Sequence, residues 1–401
     1  MPSEFARHWT LDPSVTFLNH GSFGATPRPV LDAQMHWRER MEREPVAFFA
    51  RDLEPALDEA RAALGAFVGA NPDDLALVAN ATAGINAIAR SLELRPGDEV
   101  VLLDHAYNAA RNALKAVAAG AGARIVTATL PFPGSTPEMA VASILEATTE
   151  RTRLVLLDHV TSATALVVPV RQIVARLEER GIDTIVDGAH APGMIEVDIG
   201  AIGAAFYAGN CHKWMCAPKG SAFLHVRADR QDQVRPLSIS HGANSPRNDR
   251  SRFRLEHDWI GTLDPTAWLS IPAAIEFGHG LLPGGWPALR ARGHHLTLVG
   301  RDLLSGAMGQ PIPAPDAMIG AMAAIPLPPG SGLDASTGGQ YADPVHAAFT
   351  ARGIQVAVTP WPQGPDTQAT RRLVRFSVAP YVDLTDLERL AEAMPAAMAS
   401  V

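Results

Sequence analysis

The chain has 401 residues, 47% hydrophobic and 19% charged, with a formal net charge of −8. That balance describes a globular protein with room for two cores and excludes disordered and fibrous classes. A negative chain argues against nucleic acid as the main partner, and no apolar run approaches the roughly 20 residues a membrane helix needs.

Two cysteines, Cys211 and Cys216, cannot build a disulfide framework. The first residues, MPSEFARHWTLDPSV, lack the basic start and apolar core of a signal peptide. The expectation is a cytoplasmic protein that engages neither membrane nor nucleic acid.

A short apolar segment at 15–18 runs into Asn19-His20-Gly21-Ser22-Phe23-Gly24, whose glycines mark a turn. Pro27 and Pro29 open a helical pattern reaching about residue 43, and apolar spacing predicts a second helix over 55–68. A strand over 75–78 then ends at Asn80-Ala81-Thr82-Ala83-Gly84 before a helix over 85–91. A strand, a small-residue turn and a helix start leave free N–H groups that can cradle an anion.

Strands over 99–103, 124–129, 154–157, 184–186, 204–207 and 222–226 alternate with helices over 111–119, 139–148 and 170–180. Such βα repetition predicts a mainly parallel sheet with helices on both faces. Polar residues gather at the C-terminal strand ends, where these sheets bind ligands: 80–82, 104–108, 158–162 and 187–190. Arginines at 247, 250, 252 and 254 read as a solvated basic loop, or else as a loop facing an acidic substrate. A helix over 266–278, a hinge at 280–287, a helix over 288–304 and a proline-rich stretch at 310–332 follow. Strands at 355–358 and 373–377 and a helix over 386–398 complete a small α+β domain.

The chain contains three lysines, Lys115, Lys213 and Lys219, and otherwise uses arginine. A lysine kept inside Asn-Cys-His-Lys-Trp points to its amine, because arginine stays protonated and forms no imine. Asp187 ends an apolar run upstream, with His190 three residues on. Lys213 as the Schiff-base amine, Asp187 at a ring nitrogen and His190 at a ring oxygen make a pyridoxal phosphate site.

VDGAHAPG and GNCHKWMCAPKGSAFL resemble the class V aminotransferases, fold type I pyridoxal phosphate enzymes, and within them the isopenicillin N epimerase-like group. FLNHGSFG, NATAGIN, LDHAYNAARNAL, LDHVTSAT, DWIGTLDPTAW and RLVRFSVAPYVDLTDLERL follow the family's order. The resemblance implies an α/β fold: a mainly parallel seven-stranded sheet in a large domain (26–280), a small α+β domain (281–401), and an N-terminal segment (1–25) that reaches the site. It implies that Ala81, Thr82, Asn210 and His212 hold the phosphate, and that Thr262 reaches the cofactor of a second subunit in a homodimer. His105 stands where the family stacks a residue on the ring, with Tyr107 as a rival, and Ser162 stands where many relatives carry an Asn. Arg375 would clamp the carboxylate of an amino-acid substrate, with Asn19 and His20 lining the pocket. No metal is expected.

Epimerisation or racemisation at the α-carbon ranks first, C–S lysis second and transamination third, with a non-catalytic scaffold last. Epimerisation needs either a second acid, for which Tyr107, His105 and His20 are candidates, or a mobile Lys213 that serves both faces. Cysteine desulfurases of the family need a nucleophilic Cys in the C-terminal domain, and this chain has none after Cys216.

Overall fold

Alternating strand-like and helical patterns resolve into a seven-stranded sheet. The computed structural model describes residues 3–328, 343–362 and 371–399. After a two-residue strand β1 (Thr16–Phe17) come β2 (Leu75–Val78), β3 (Glu99–Leu103), β4 (Arg124–Ala128), β5 (Thr152–Asp158), β6 (Asp183–Gly188), β7 (Phe206–Asn210) and β8 (Ala222–Val226). The large sheet has the order β2-β8-β7-β6-β5-β3-β4. Strand β8 runs antiparallel to β2 and β7, while the other neighbours are parallel.

The period-two rule explains why these strands read as unbroken apolar runs. Val101, Leu103, Val155, Leu157 and Val186 join one core. Their neighbours Val100, Leu102, Leu154, Leu156 and Ile185 point the other way into a second. A sheet buried on both faces needs apolar residues at every position.

Two boundaries differ from the sequence expectation, for local reasons. The helix expected over 85–91 spans Ala81–Ser91, because the Asn80 side chain accepts the Ala83 N–H and caps it four residues earlier. The strand expected over 204–207 is Phe206–Asn210. A short helix, Ile199–Ile202, is capped by Asp198 and ends on Gly203 at φ 74°, which uses up the residues before it. The shift carries Asn210 to the strand's C-terminal end and leaves Lys213 three residues beyond.

Further along lie β9 (Met322–Pro326), β10 (Ile354–Gln355), β11 (Ala357–Trp361) and β12 (Arg371–Ser377). An antiparallel sheet of order β11-β12-β9 packs with helices Gly285–Met308 and Leu384–Met398. Strand β9 sits inside the proline-rich stretch, whose last residues lie outside the described ones; its prolines masked a strand that burial of Met322–Ile325 makes plain. The N-terminal segment belongs to this second core. Strand β1 pairs in parallel with β10, Thr16 opposite Ile354, and Phe5, Trp9 and Leu18 pack with Val374 and Phe376.

The arginine-rich stretch is solvated only in part: Arg247 and Arg252 are exposed, while Arg250 and Arg254 turn inward to carboxylates. Arg250 meets Asp58 at 2.7 Å, and Arg254 meets Asp58, Asp73 and Asp258 at 2.5, 2.6 and 3.1 Å. Arg61, 1% exposed, pairs with Asp258 as well. These carboxylates fasten helix Leu53–Val68 to helix Arg252–His257. Among the described residues, no helix is long and apolar enough to cross a membrane.

Candidate active site

Lys213 lies in a tight turn between β7 and β8. The N–H groups of Cys211 and His212 both donate to the Ser221 carbonyl, and the Cys216 N–H donates to that of Lys213. Cys216 takes the left-handed φ of 58° that reverses the chain. The Lys213 Nζ stands 3.1 Å from Nε2 of His190, a buried residue in the turn after β6. The Trp214 indole N–H donates to the other imidazole nitrogen, Nδ1, at 3.3 Å. Desolvation lowers the Lys213 pKa to about 8, assisted by the charge of Arg375 and opposed by Asp187.

Asp187 is buried on β6, directly opposite Asp158 of β5 in the parallel register. Its Oδ1 accepts the Ala189 N–H, and desolvation raises its pKa. Asp158 is pushed well above the usual carboxylate range, first by desolvation and then by the Asp187 charge. One Asp158 oxygen accepts the backbone N–H of Tyr107 at 3.1 Å; the other is buried without a hydrogen-bond partner.

Arg375 reaches the site from the middle of β12 and is buried. Its Nη1 donates to the Ser162 carbonyl at 2.6 Å and to the Ser162 hydroxyl at 3.3 Å. Its Nη2 donates to the Ser22 hydroxyl at 2.9 Å and lies 3.5 Å from Asn19 Oδ1. The guanidinium therefore joins the loop after β5 to the N-terminal segment. Gly24 lets that segment pass close to the lysine turn: it has φ 48°, and a Cβ there would meet the His212 carbonyl at 2.4 Å.

The other predicted residues divide by geometry. His20 is fully buried, with Nδ1 2.8 Å from the Tyr381 hydroxyl and Nε2 3.0 Å from the Lys213 carbonyl. His105 is buried with Nδ1 on the Thr164 hydroxyl and Nε2 on the Leu130 carbonyl, its ring 4.5 Å edge-to-face from Trp361. Both imidazoles spend both nitrogens on this chain's own groups. Tyr107 instead is 44% exposed at the start of helix Asn108–Ala121.

At the start of helix Ala81–Ser91, the Ala81 N–H donates to Asn210 Oδ1 at 2.8 Å, and Thr82 is partly open beside it. Nδ1 of His212 is 2.8 Å from the Ser221 carbonyl. Thr262 is exposed on the surface, and the hydrogen bonds of the Lys213 cluster do not reach it.

Sequence reasoning did not single out Trp214, Asp158 or Ser22 for a role. Adjacency to Lys213 and a place at a polar strand end were the available signals for the first two. Ser22 had only its position in the glycine turn.

A mainly parallel sheet covered on both faces, a partly buried lysine in the turn after β7 and a small antiparallel sheet make up this architecture. The chain belongs to the aminotransferase class-V family, whose model matches residues 17–306. It is 38% identical to the isopenicillin N epimerase of Amycolatopsis lactamdurans, over 96% of each chain. It is 30% identical to an L-cysteine desulfhydrase of Arabidopsis thaliana, over 98% of this chain and 89% of that one. In three dimensions it is similar to the cystine C–S lyase C-DES, solved with glycine covalently linked to its pyridoxal phosphate cofactor. There the TM-score is 0.78 at 18% identity, covering 96% of this chain and 98% of the other.

Proposed function

We propose that the protein is a pyridoxal phosphate enzyme that inverts the α-carbon of an amino acid. One observation carries the reading: the Lys213 amine, partly buried and lowered to about 8, lies against His190 with Asp187 and Arg375 as its charged surroundings. An amine, a buried carboxylate and a guanidinium fork are the donor set that this cofactor and an amino acid ask for. The buried Asp158 oxygen without a partner fits a site in which Asp187 must stay polar beside a protonated ring nitrogen.

When bound, pyridoxal phosphate supplies an electron sink that makes the α-hydrogen of an amino acid acidic enough to remove near neutral pH. In this reading Lys213 anchors the cofactor and its Nζ takes up the α-proton. Asp187 faces the ring nitrogen and His190 the ring oxygen. The helix start at Ala81 and Thr82, with Asn210 and His212, holds the phosphate, and Thr262 serves the partner site of a homodimer. Arg375 binds the substrate carboxylate, steadied by Asn19, Ser22 and Ser162.

Inversion needs a second acid, and Tyr107 is favoured over its rivals. His20 and His105 have both ring nitrogens engaged, whereas Tyr107 is open and its backbone is tied to Asp158, the neighbour of Asp187. His20 then acts by holding the Lys213 carbonyl, and His105 by packing under the site. We also read residues 26–280 as the large domain and 281–401 as the small one, with 1–25 packed on the latter.

Similarity to an isopenicillin N epimerase along nearly the full chain supports inversion. Similarity to L-cysteine desulfhydrases favours a second reading, in which the same α-proton removal leads to cleavage of a β-carbon–sulfur bond. Transfer of sulfur to a protein thiol fits less well. Cys211 and Cys216 are buried, burial pushes the Cys216 thiol up to about 12, and no cysteine follows them in the chain.

Incubating the purified protein with candidate amino acids in D₂O tests these readings. Deuterium at Cα with loss of chirality indicates inversion; pyruvate and ammonia, with sulfide from cysteine or a free thiol from a cysteine conjugate, indicate lysis. A protein that takes up no pyridoxal phosphate, or whose 420 nm band survives Lys213→Ala, refutes the whole reading.

A further inference from the structure

We propose that Trp214 is a positioning residue: its indole N–H fixes the tautomer of His190 so that Nε2–H faces Lys213, which holds the lysine as a neutral amine. An indole nitrogen can only donate. Its 3.3 Å contact with Nδ1 therefore requires that nitrogen to be bare. A neutral imidazole with Nδ1 bare carries its proton on Nε2, and Nε2 lies 3.1 Å from the Lys213 Nζ. An N–H there needs a lone pair to donate to. A neutral amine has one and an ammonium has none.

The alternatives are poorer. A doubly protonated His190 would turn an N–H against the indole N–H. It would also stand desolvated near the guanidinium of Arg375; burial first, and then that charge, push its pKa well down. An ammonium at Lys213 would need Nε2 bare as well, which leaves an imidazolate. Lys213 is faced by Arg375, which disfavours its charge, and by Asp187, which favours it, so the net effect of these two does not by itself select the amine. The directed chain Trp214 to His190 to Lys213 does. Desolvation, helped by Arg375, already lowers the Lys213 pKa to about 8; a donor at Nε2 lowers it further, so more of the amine is neutral at pH 7 than burial alone would leave.

This deepens the reading of Lys213 as the cofactor's amine and rests on it for its purpose, although the tautomer can be measured without it. In the full-length protein labelled with ¹⁵N-histidine, with His190 assigned from His190→Gln, the expected spectrum has a bare Nδ1 and a protonated Nε2. The opposite tautomer, or an imidazolium at pH 7, overturns the proposal. Trp214→Phe keeps the ring and removes the donor. The rate of pyridoxal phosphate uptake, followed at 420 nm against pH, should then shift its midpoint upward and fall about three- to tenfold at pH 7, the worth of one net hydrogen bond. In a His190→Gln background, whose amide presents a donor regardless of Trp214, the same substitution should have no further effect. An equal loss in both backgrounds means that Trp214 acts by packing, and the proposal falls. If Trp214→Phe does not fold, the wild-type spectrum still decides. If no cofactor is taken up at any pH, the functional reading fails while the tautomer stands or falls on its own spectrum.

Discussion

His20 should make the stability of this protein depend on pH in a way that one substitution can remove. It is fully buried between the Tyr381 hydroxyl and the Lys213 carbonyl, and desolvation lowers its pKa from 6.5 to about 4. The folded imidazole is thus neutral where the unfolded one is charged. The unfolded chain binds the extra proton below pH 6.5, so stability is full above that value and is lost as pH falls towards 4. At pH 5 the loss from this residue spans one and a half decades of proton activity, or about 2 kcal/mol. Urea unfolding of the wild type and of His20→Gln at pH 7 and pH 5 measures it. The substitution costs stability at both pH values by disturbing packing, but the gap between the two proteins should narrow by about 2 kcal/mol at pH 5. A gap that stays constant within about 0.5 kcal/mol would refute the assignment of a neutral, desolvated His20.

Three further outcomes are expected. Arg375→Lys keeps the charge but loses the fork that spans Ser162 and Ser22, so KM for the amino acid should rise at least about tenfold with the 420 nm band unchanged. Tyr107→Phe should slow inversion by about a hundredfold while Cα hydrogen still exchanges with D₂O; loss of exchange as well would remove Tyr107 from the acid's role. Arg254→Ala removes one partner from Asp58 and Asp258, which keep Arg61 and Arg250, and should cost about 1.5–3 kcal/mol in urea unfolding, with activity per folded molecule retained.

What the sequence disclosed was local, and what it hid was pairwise. Lysine scarcity and the Asp187–His190 spacing led to the cluster around Lys213, because strand ends announce themselves by an apolar run stopping at a polar residue. The sheet was legible for the same reason. The charge of the 247–254 stretch was legible too, but its partners Asp73 and Asp58 lie 181 to 196 residues away, and only folding reveals that the arginines are already spoken for. A two-residue strand such as Thr16–Phe17 carries no periodicity from which to infer Ile354 as its neighbour. Tyr107 and His105 were indistinguishable as types; their hydrogen bonds separate them, since His105 is closed on both sides and Tyr107 is not.

The seating of the N-terminal segment ties two bodies together at one carbonyl. Residues 16–18 are stitched to β10 and packed into the core beside the small antiparallel sheet, Phe17 partly exposed, so any shift of that sheet carries them along. Two residues further on, His20 grips the backbone of Lys213, in the turn between β7 and β8 of the seven-stranded sheet. Ser22 meanwhile holds Arg375 of β12. Any movement of Arg375 would therefore pull, through Ser22, on the same short tether that ends at the main chain of Lys213.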